Sequence, residues 1–257
     1  MGVLNVTSDS FSDGGKFLDP RAAVSRALQM IDEGADLIDM GAESTRPGSR
    51  GVSAVEQLRR LVPVLRALRA RSEIPLSIDT QSAKVAEVCL AEGATLINDI
   101  SALRKDRAMA KVLAKSTCGV ILMHMQGTPR TMQKNPRYKN VVREITAFFR
   151  ERLAACEASG IDRSRIWLDP GIGFGKSLEH NLTILKNLES FAVLKRPLVI
   201  GVSRKGFLGS LTGETIAERR VTASVVAGIL AVQRGANVLR VHDVAENRAG
   251  LRVLENI

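Results

Sequence analysis

Short apolar runs that end on polar residues recur eight times along the chain, and a stretch with helical periodicity follows each run. Such runs of Val, Ile and Leu are typical of parallel strands, because helices cover both faces of a parallel sheet. The pattern predicts strands at 2–7, 35–40, 76–79, 95–99, 119–124, 165–169, 197–203 and 238–242.

The segments between these runs have the pattern of amphipathic helices. In 53–70, a period of 3.6 residues relates Val55, Leu58, Leu61, Val62, Leu65 and Leu68. Three further segments share a design in which Gly34, Gly93 or Gly235 is followed by Ala and then by a predicted strand. A glycine at this place ends a helix in the left-handed conformation. The chain therefore reads as repeated helix–strand units.

Repeated units of this kind favour an α/β fold with parallel strands and right-handed crossovers. An open, doubly wound sheet shares the same alternation. Eight units in 257 residues match the roughly 250 residues of a typical (β/α)8 barrel. We therefore predict a single-domain (β/α)8 TIM barrel that spans residues 1–257, whose carboxyl-terminal strand ends would meet at one mouth.

The composition of the chain indicates its cellular compartment. Cys89, Cys118 and Cys156 lack a second Cys or a His at metal-ligand spacing, so buried or partly buried free thiols in a reducing compartment are expected. No apolar run reaches the roughly 18 residues of a membrane span, and Met1–Asn5 lacks the features of a signal peptide. A cytoplasmic protein without a membrane partner is expected.

The net charge of +10 raises the possibility of nucleic-acid binding. Aromatic residues make up only 4% of the chain, and the basic residues are spread over most of the predicted helices. Stacking platforms for single strands are therefore scarce. A solvated positive surface that attracts small anionic substrates is the favoured interpretation, and a basic nucleic-acid-binding barrel is the non-enzymatic alternative.

Three of the predicted strands end on Asp79, Asn98 and Asp169. Each residue alone would make a good helix N-cap. Together at one mouth, two carboxylates and an amide would suit a flat heterocycle that is rich in hydrogen-bond donors. We interpret the three residues as a binding pocket.

Cationic candidates follow the last two strands. Ser203-Arg204-Lys205 comes after the seventh strand, and phosphate sites in barrels often lie after the seventh and eighth strands. Arg240 and His242 are two positions apart, so they would point to one side of the eighth strand and could bind one phosphate group together. His124 and His180 are interpreted as structural.

Three loops complete the candidate site. The loop from Asn5 to Gly15 carries one aromatic anchor, Phe11, and resembles a lid more than an ordinary turn. Arg46 precedes Pro47 and is therefore held extended, which suits either an anion site or a surface turn. The glycine-rich segment 169–177 has Pro170 where a P-loop requires Gly, so we interpret it as a loop that a ligand approaches closely.

Taken together, these segments resemble the dihydropteroate synthase family of pterin-binding enzymes, which are targets of sulfonamides. The resemblance runs in family order through Met1–Gly15, Asp39–Gly48, Ser77–Asp79, Asn98–Asp99, Met123–Pro129, Leu168–Gly175, Ser203–Gly209 and Arg240–His242. It implies a barrel that condenses 6-hydroxymethyl-7,8-dihydropterin pyrophosphate with para-aminobenzoate, and a homodimer. The small-molecule substrates would be the partners, rather than nucleic acid.

The resemblance also implies roles for individual residues. The pterin would lie between Met123 and the polar side chains of Asp79, Asn98, Asp169 and Lys205, of which Asp79, Asp169 and Lys205 are the catalytic candidates. Asn5 would bind a Mg²⁺ cofactor on the pyrophosphate, and Thr45, Arg240 and His242 would surround the phosphate oxygens. The aminobenzoate would be framed by Phe11, Arg46, Pro47, Gly173, Phe174 and Lys205.

The chemistry of these residues agrees with that reaction. Loss of pyrophosphate leaves a cation on the pterin methylene, which Asp79 and Asp169 would stabilise in a pocket poor in water. Mg²⁺, Arg240 and His242 would stabilise the departing anion. A pterin-binding methyltransferase domain is the alternative enzyme, although its substrate has no pyrophosphate for the cationic residues to bind.

Overall fold

The computed structural model describes residues 1–6, 20–44, 49 and 51–257. Within this part of the chain, every predicted strand is present at its expected place. The strands are β1 (Gly2–Asn5), β2 (Ile38–Gly41), β3 (Leu76–Asp79), β4 (Leu96–Asp99), β5 (Gly119–Met123), β6 (Ile166–Asp169), β7 (Val199–Ile200) and β8 (Val238–Leu239). The last two strands are much shorter than the predicted 197–203 and 238–242.

The strands form a closed parallel ring. Strands β1 to β6 pair in chain order, and β7 pairs with β8. Two isolated parallel bridges join these sheets, one between Leu168 and Leu198 and the other between Gly2 and Val241. The bridge at Val241 places the end of β8 beside β1, so the ring has no open edge. The barrel prediction is confirmed, and the open-sheet alternative is wrong.

Helices of the described residues surround the ring. They are α1 (Pro20–Asp32), α2 (Ala54–Arg69), α3 (Ala83–Ala91), α4 (Met109–Ala114), α5 (Val141–Ala158), α6 (Leu178–Lys186), α7 (Gly206–Thr212), α8 (Val221–Gln233) and α9 (Val244–Asn256). Short 3-10 segments occur at Arg163–Arg165, Leu188–Leu194 and Ala217–Arg219.

Helix α2 shows how the sequence pattern builds one unit. The hydroxyl of Ser53 caps the helix by accepting from the backbone N–H of Glu56. Leu61, Leu65 and Leu68 are completely buried against the barrel, as the periodicity predicts. Val55 was assigned to the same apolar stripe, but its side chain is 79% exposed. That part of the prediction is wrong because Val55 lies in the first turn of the helix with its side chain in solvent.

The glycines of the three repeated segments have the conformation that the sequence predicts. Gly34, Gly93 and Gly235 have φ angles of 95°, 98° and 97°. An L-residue with a side chain is strained at such angles. Each glycine therefore ends a helix and turns the chain back toward the next strand.

Alternate residues of each strand point into the barrel. Apolar side chains fill its amino-terminal half, where Met1, Leu37, Leu96, Ile121, Trp167, Val199 and Val238 form one cluster. Toward the carboxyl ends, the inward positions become polar. A packed floor thus lies beneath a polar mouth, which is the usual arrangement of a barrel enzyme.

The three cysteines agree with their prediction, since each is buried and free. In the described part of the chain, every helix is too short or too polar to cross a lipid bilayer.

Candidate active site

Two carboxylates share one guanidinium at the centre of the barrel mouth. The Arg240 Nε donates to Asp39 Oδ2 over 2.7 Å, and its Nη2 donates to Asp79 Oδ2 over 3.1 Å. The Asn98 amide donates to the same Asp39 oxygen over 3.2 Å. Asp79, Asn98 and Arg240 therefore lie around one charged network, as expected for strand ends that converge.

Asp39 is the hub of this network, and it was not among the predicted site residues. Its side chain is completely buried, and its Oδ1 has no hydrogen-bond partner among the described residues. The residue was visible in the sequence as the polar end of β2. Its partner Arg240 is 201 positions away in the chain, so periodicity alone gave no reason to pair them.

The electrostatics of the network make Asp79 a weaker acid than an exposed aspartate. Burial raises the pKa of the Asp79 carboxyl to about 7, Arg240 opposes this shift, and the negative charge of Asp39 adds to it. Asp79 Oδ1 accepts no hydrogen bond from the described residues. One oxygen of this acid is therefore available to a ligand.

Asp169 provides a second buried acid, at the end of β6. Its Oδ1 accepts from the backbone N–H of Gly171 over 2.7 Å, and Oδ2 has no partner among the described residues. Burial raises the pKa of Asp169, while the Gly171 N–H and the nearby Lys205 oppose that shift. Like Asp79, Asp169 can offer one oxygen to a ligand.

Lys205 is held by the glycine-rich loop that follows β6. Its Nζ donates to the Ile172 carbonyl over 2.8 Å and lies 4.1 Å from the centre of the Phe174 ring. Burial lowers the pKa of Lys205 to about 8, and the negative charge of Asp169 opposes the shift. Phe174 also packs against a small apolar cluster that includes Met123. The predicted residues Met123, Phe174 and Lys205 are thus brought together.

Contacts within the protein explain why glycine is required at several positions of this loop. A Cβ on Gly171 would lie 2.0 Å from the carbonyl oxygen of His124, and one on Gly175 would lie 2.5 Å from that of Gln126. Next to Gly173, the close neighbour is the Lys205 side chain. The sequence interpretation assigned these glycines to ligand approach. The contacts show that the backbone beyond β5 and Lys205 already occupy that space.

A second lysine, Lys176, is buried behind the loop. Its Nζ lies 3.0 Å from His124 Nδ1 and donates to the carbonyl oxygens of Phe174 over 2.9 Å and His124 over 3.3 Å. Burial lowers the pKa of Lys176 to about 7. The side chain ties the end of β5 to the loop that carries Phe174. The interpretation of His124 as structural agrees with this contact.

His242 lies at the same mouth but has different partners from Arg240. Its Nδ1 is 3.0 Å from Ser203 Oγ, and burial, together with Arg240, lowers the pKa of His242 to about 4. Arg240 binds the acids of the network instead of standing beside His242 as a free cation. The Arg240 Nη1 has no hydrogen-bond partner among the described residues and remains available to an anion.

Asn5 is the last residue of β1. It pairs in register with Gly41 of β2, which in turn pairs with Asp79 of β3. Its amide makes no hydrogen bond with the described residues. Among these residues, no three His, Cys, Asp or Glu side chains are placed to hold a metal ion together. Phe11, Thr45, Arg46 and Pro47 lie outside the described residues, so their predicted roles stay predictions.

The fold and the site define a class of protein. A closed barrel presents two buried acids, an amide and several cationic groups at its carboxyl-terminal mouth, which is where barrel enzymes carry their active sites. The acids can accept from a donor-rich ring, and the cationic groups can hold an anionic substituent. This is the mouth of a small-molecule enzyme.

Comparison with known proteins identifies the family. A sequence profile for the pterin binding enzyme family matches residues 1–242. The dihydropteroate synthase of Escherichia coli (strain K12) is 44% identical over 255 residues, which cover 99% of this chain and 90% of the relative. The chain belongs to the dihydropteroate synthase family of pterin-binding enzymes, and it is therefore a transferase of folate biosynthesis.

Solved structures agree with this assignment over nearly the whole chain. The Yersinia pestis dihydropteroate synthase in complex with a sulfonamide drug has a TM-score of 0.94 at 42% identity, covering 99% of this chain and 92% of that one. The Xanthomonas albilineans dihydropteroate synthase with 4-aminobenzoic acid has a TM-score of 0.93 at 45% identity, covering 99% of this chain and 91% of that one.

Proposed function

We propose that the chain condenses 6-hydroxymethyl-7,8-dihydropterin pyrophosphate with para-aminobenzoate to give 7,8-dihydropteroate and pyrophosphate. One observation carries the proposal: the buried acids Asp79 and Asp169 share a mouth with Asn98, Lys205 and Arg240. This combination suits a substrate that joins a donor-rich ring to an anionic leaving group.

The pterin ring would bind at the acids. Asp79 Oδ1 and Asp169 Oδ2 can each accept from the ring, and Asn98 can both donate and accept. Met123 is buried in the apolar cluster against which Phe174 packs, and it would pack on the flat face of the ring. Ring donors would thus meet the polar atoms that the protein leaves available.

The acids would also support bond cleavage. When the methylene carbon–oxygen bond breaks, its electron pair leaves with the pyrophosphate and a cation remains on the pterin methylene. Asp79 and Asp169 are buried, so their charges would act on that cation with little screening by water. The arylamine nitrogen then forms the new carbon–nitrogen bond and releases one proton.

The departing pyrophosphate would be stabilised by Arg240, His242 and Lys205. The Arg240 guanidinium and the Lys205 ammonium supply positive charge, and His242 supplies a hydrogen bond. Because Arg240 is fixed by Asp39 and Asp79, it would meet the leaving group without reorganising. A fixed donor of this kind stabilises the departing anion better than mobile water does.

Asn5 is proposed as the protein ligand of Mg²⁺. Its side-chain oxygen is the kind of ligand that Mg²⁺ prefers, and the amide makes no hydrogen bond with the described residues. A single neutral oxygen cannot hold the ion alone, so the residues fit a site completed by the pyrophosphate and water. When bound, Mg²⁺ would neutralise part of the negative charge on the leaving group.

The aminobenzoate would bind beside Lys205 and Phe174, with Gly173 forming the adjacent backbone. The predicted contributions of Phe11, Arg46 and Pro47, and of Thr45 to the phosphate, belong to the same proposal. Sulfonamides would compete with aminobenzoate for its site, because the Yersinia pestis relative is known in complex with such a drug.

A second copy of the chain is the proposed partner at the outer face of α8. Val226 and Leu230 lie one helical turn apart and are 54% and 42% exposed. Burying such a face would favour a homodimer, and light scattering of the purified chain tests its mass. A cytoplasmic location is also proposed, supported by the three free thiols.

Pyrophosphate release in a mixture of the chain, Mg²⁺ and both substrates tests the proposed reaction. We expect Asp79→Ala and Lys205→Ala each to lower turnover about tenfold or more, because each removes a charged contact of roughly 1.5–3 kcal/mol. Lys186→Ala is the matched control, since Lys186 is exposed on α6. Absence of release by the unmodified chain would contradict the proposed function.

A further inference from the structure

Ser203 and His242 form a pair at the anionic side of the mouth. The Ser203 Oγ lies 3.0 Å from His242 Nδ1. The same Oγ accepts from the backbone N–H of His242 over 3.2 Å. Ser203 is 5% exposed, so water has little access to its hydroxyl. The protons of this pair can therefore be assigned from its hydrogen bonds.

The Ser203 hydroxyl has one O–H donor and two lone pairs. One lone pair accepts from the His242 backbone, so the O–H must find another acceptor. Among the described residues, its hydrogen-bond partner other than that N–H is His242 Nδ1. Most buried polar groups in native proteins satisfy their hydrogen bonds, and His242 Nδ1 is the acceptor within 3.0 Å of this hydroxyl. The Ser203 O–H thus donates to Nδ1, and the imidazole proton belongs on Nε2.

We propose that Ser203 is a positioning residue that holds His242 as a neutral imidazole with its proton on Nε2. His242 then presents an N–H donor, rather than a positive charge, to the leaving pyrophosphate. The identity of that anion rests on the proposed function, whereas the tautomer does not.

The backbone on both sides of the pair is fixed. Arg204 has a left-handed φ of 58°, and its N–H donates to Ser224 Oγ over 2.8 Å. Its guanidinium pairs with Asp243, the residue next to His242, with Nε donating over 3.0 Å. A strained residue of this kind persists where its surroundings hold it in place. The ion pair therefore joins the segment of Ser203 to that of His242.

The surrounding charges also favour the neutral imidazole. Burial lowers the pKa of His242 to about 4, and the positive charges of Arg240, Arg204 and Lys205 act in the same direction. The carboxylate of Asp243 opposes them but is paired with Arg204. The positive charge at this mouth accordingly lies on Arg240 and Lys205, and His242 adds a directed hydrogen bond.

Nitrogen NMR of the chain with ¹⁵N-labelled histidine tests the tautomer without any substrate. The chain has three histidines, and single replacements by glutamine assign their signals. We expect His242 at pH 7 to show an unprotonated Nδ1 and a protonated Nε2. A protonated Nδ1, or an even mixture of tautomers, would overturn the proposal.

Ser203→Ala tests the positioning role. We expect His242 to become a mixture of tautomers, kcat to fall about tenfold for the loss of one directed hydrogen bond, and KM for aminobenzoate to stay near its original value. Ser203→Thr keeps the hydroxyl and should restore both properties. Ser210→Ala, at an exposed serine of α7, should change neither.

The outcomes separate the two proposals. A lower kcat in Ser203→Ala with an unchanged His242 tautomer would refute the positioning role. If Ser203→Ala does not fold, the spectrum of the unmodified chain still decides the tautomer. If the unmodified chain releases no pyrophosphate, the proposed function fails and the NMR result still stands.

Discussion

Replacing Gly171 by alanine tests whether the glycine-rich loop is held against the backbone beyond β5. Gly171 has a φ of 70°, and an added Cβ would lie 2.0 Å from the His124 carbonyl oxygen. Real Cβ atoms essentially never approach within 3.0 Å, so the two backbones must separate by about 1 Å. This separation would strain the bond between the His124 N–H and the Asp169 carbonyl, now 2.9 Å long.

The magnitude follows from three separable contributions. A left-handed residue with a side chain costs roughly 1–2 kcal/mol. Forced separation adds about 1–3 kcal/mol for overpacking, and a weakened backbone hydrogen bond adds about 1 kcal/mol. We therefore expect Gly171→Ala to lower the free energy of unfolding by about 3–6 kcal/mol. Urea unfolding followed by circular dichroism measures this change.

Gly213→Ala is the matched control. Gly213 ends α7 with a φ of 78°, and an added Cβ there would meet nothing within 4 Å. It should therefore show the conformational cost alone, about 1–2 kcal/mol. Folded Gly171→Ala should also lose turnover, because the Ile172 carbonyl that holds Lys205 would move with the loop. Equal destabilisation by the two substitutions would refute the packing argument.

Three further substitutions test the charged network and the lysine behind the loop. Asp39→Asn should lower the free energy of unfolding by about 1–3 kcal/mol in urea, because Arg240 loses a buried charged acceptor. Asp79→Asn should flatten the pH dependence of thermal stability. The raised pKa of Asp79 means that the folded protein binds this proton more tightly than the unfolded chain does. The original chain should therefore lose stability as the pH rises from about 4 to 7. Lys176→Met should lower the free energy of unfolding by about 1–3 kcal/mol and raise KM for aminobenzoate, because the Phe174 carbonyl loses its donor. Lys186→Met, at an exposed lysine, should change neither quantity.

Each of these expectations can fail on its own measurement. An Asp39→Asn chain as stable as the original would mean that Arg240 is held by Asp79 alone. An unchanged pH profile in Asp79→Asn would mean that this acid is ionised throughout the range. Unaltered aminobenzoate kinetics in a folded Lys176→Met chain would limit Lys176 to a structural role.

The positions of the strands could be predicted because buried parallel strands leave short, continuous apolar runs in the sequence. The lengths of β7 and β8 could not, since they depend on partners that lie far away in the chain. Pro197 has no N–H for a ladder, and the N–H of Leu198 donates to the Asn237 side chain instead of to a backbone carbonyl. A side chain has replaced one donor bond of the ladder there, although the Leu198 carbonyl still accepts from the backbone of Val238. An apolar run carries no signal of that exchange.

The candidate site was predictable to the extent that it lies at strand ends. Asp79, Asn98 and Asp169 were found because each ends an apolar run, and a barrel brings such ends together. The pairing of Arg240 with Asp39 and the contact of Ser203 with His242 join residues from different strands. Such pairs are set by the register of the ring, so a single sequence does not contain them.

The closure of the ring by two single bridges divides the wall into unequal parts. Continuous ladders join β1 to β6, whereas the pair of β7 and β8 is attached through one bridged position on either side. Sparsely bonded segments open more readily than continuous ladders do. Amide hydrogens of β7 and β8 should therefore exchange with solvent before those of β1 to β6, which would mark this pair of strands as the part of the wall that opens most easily.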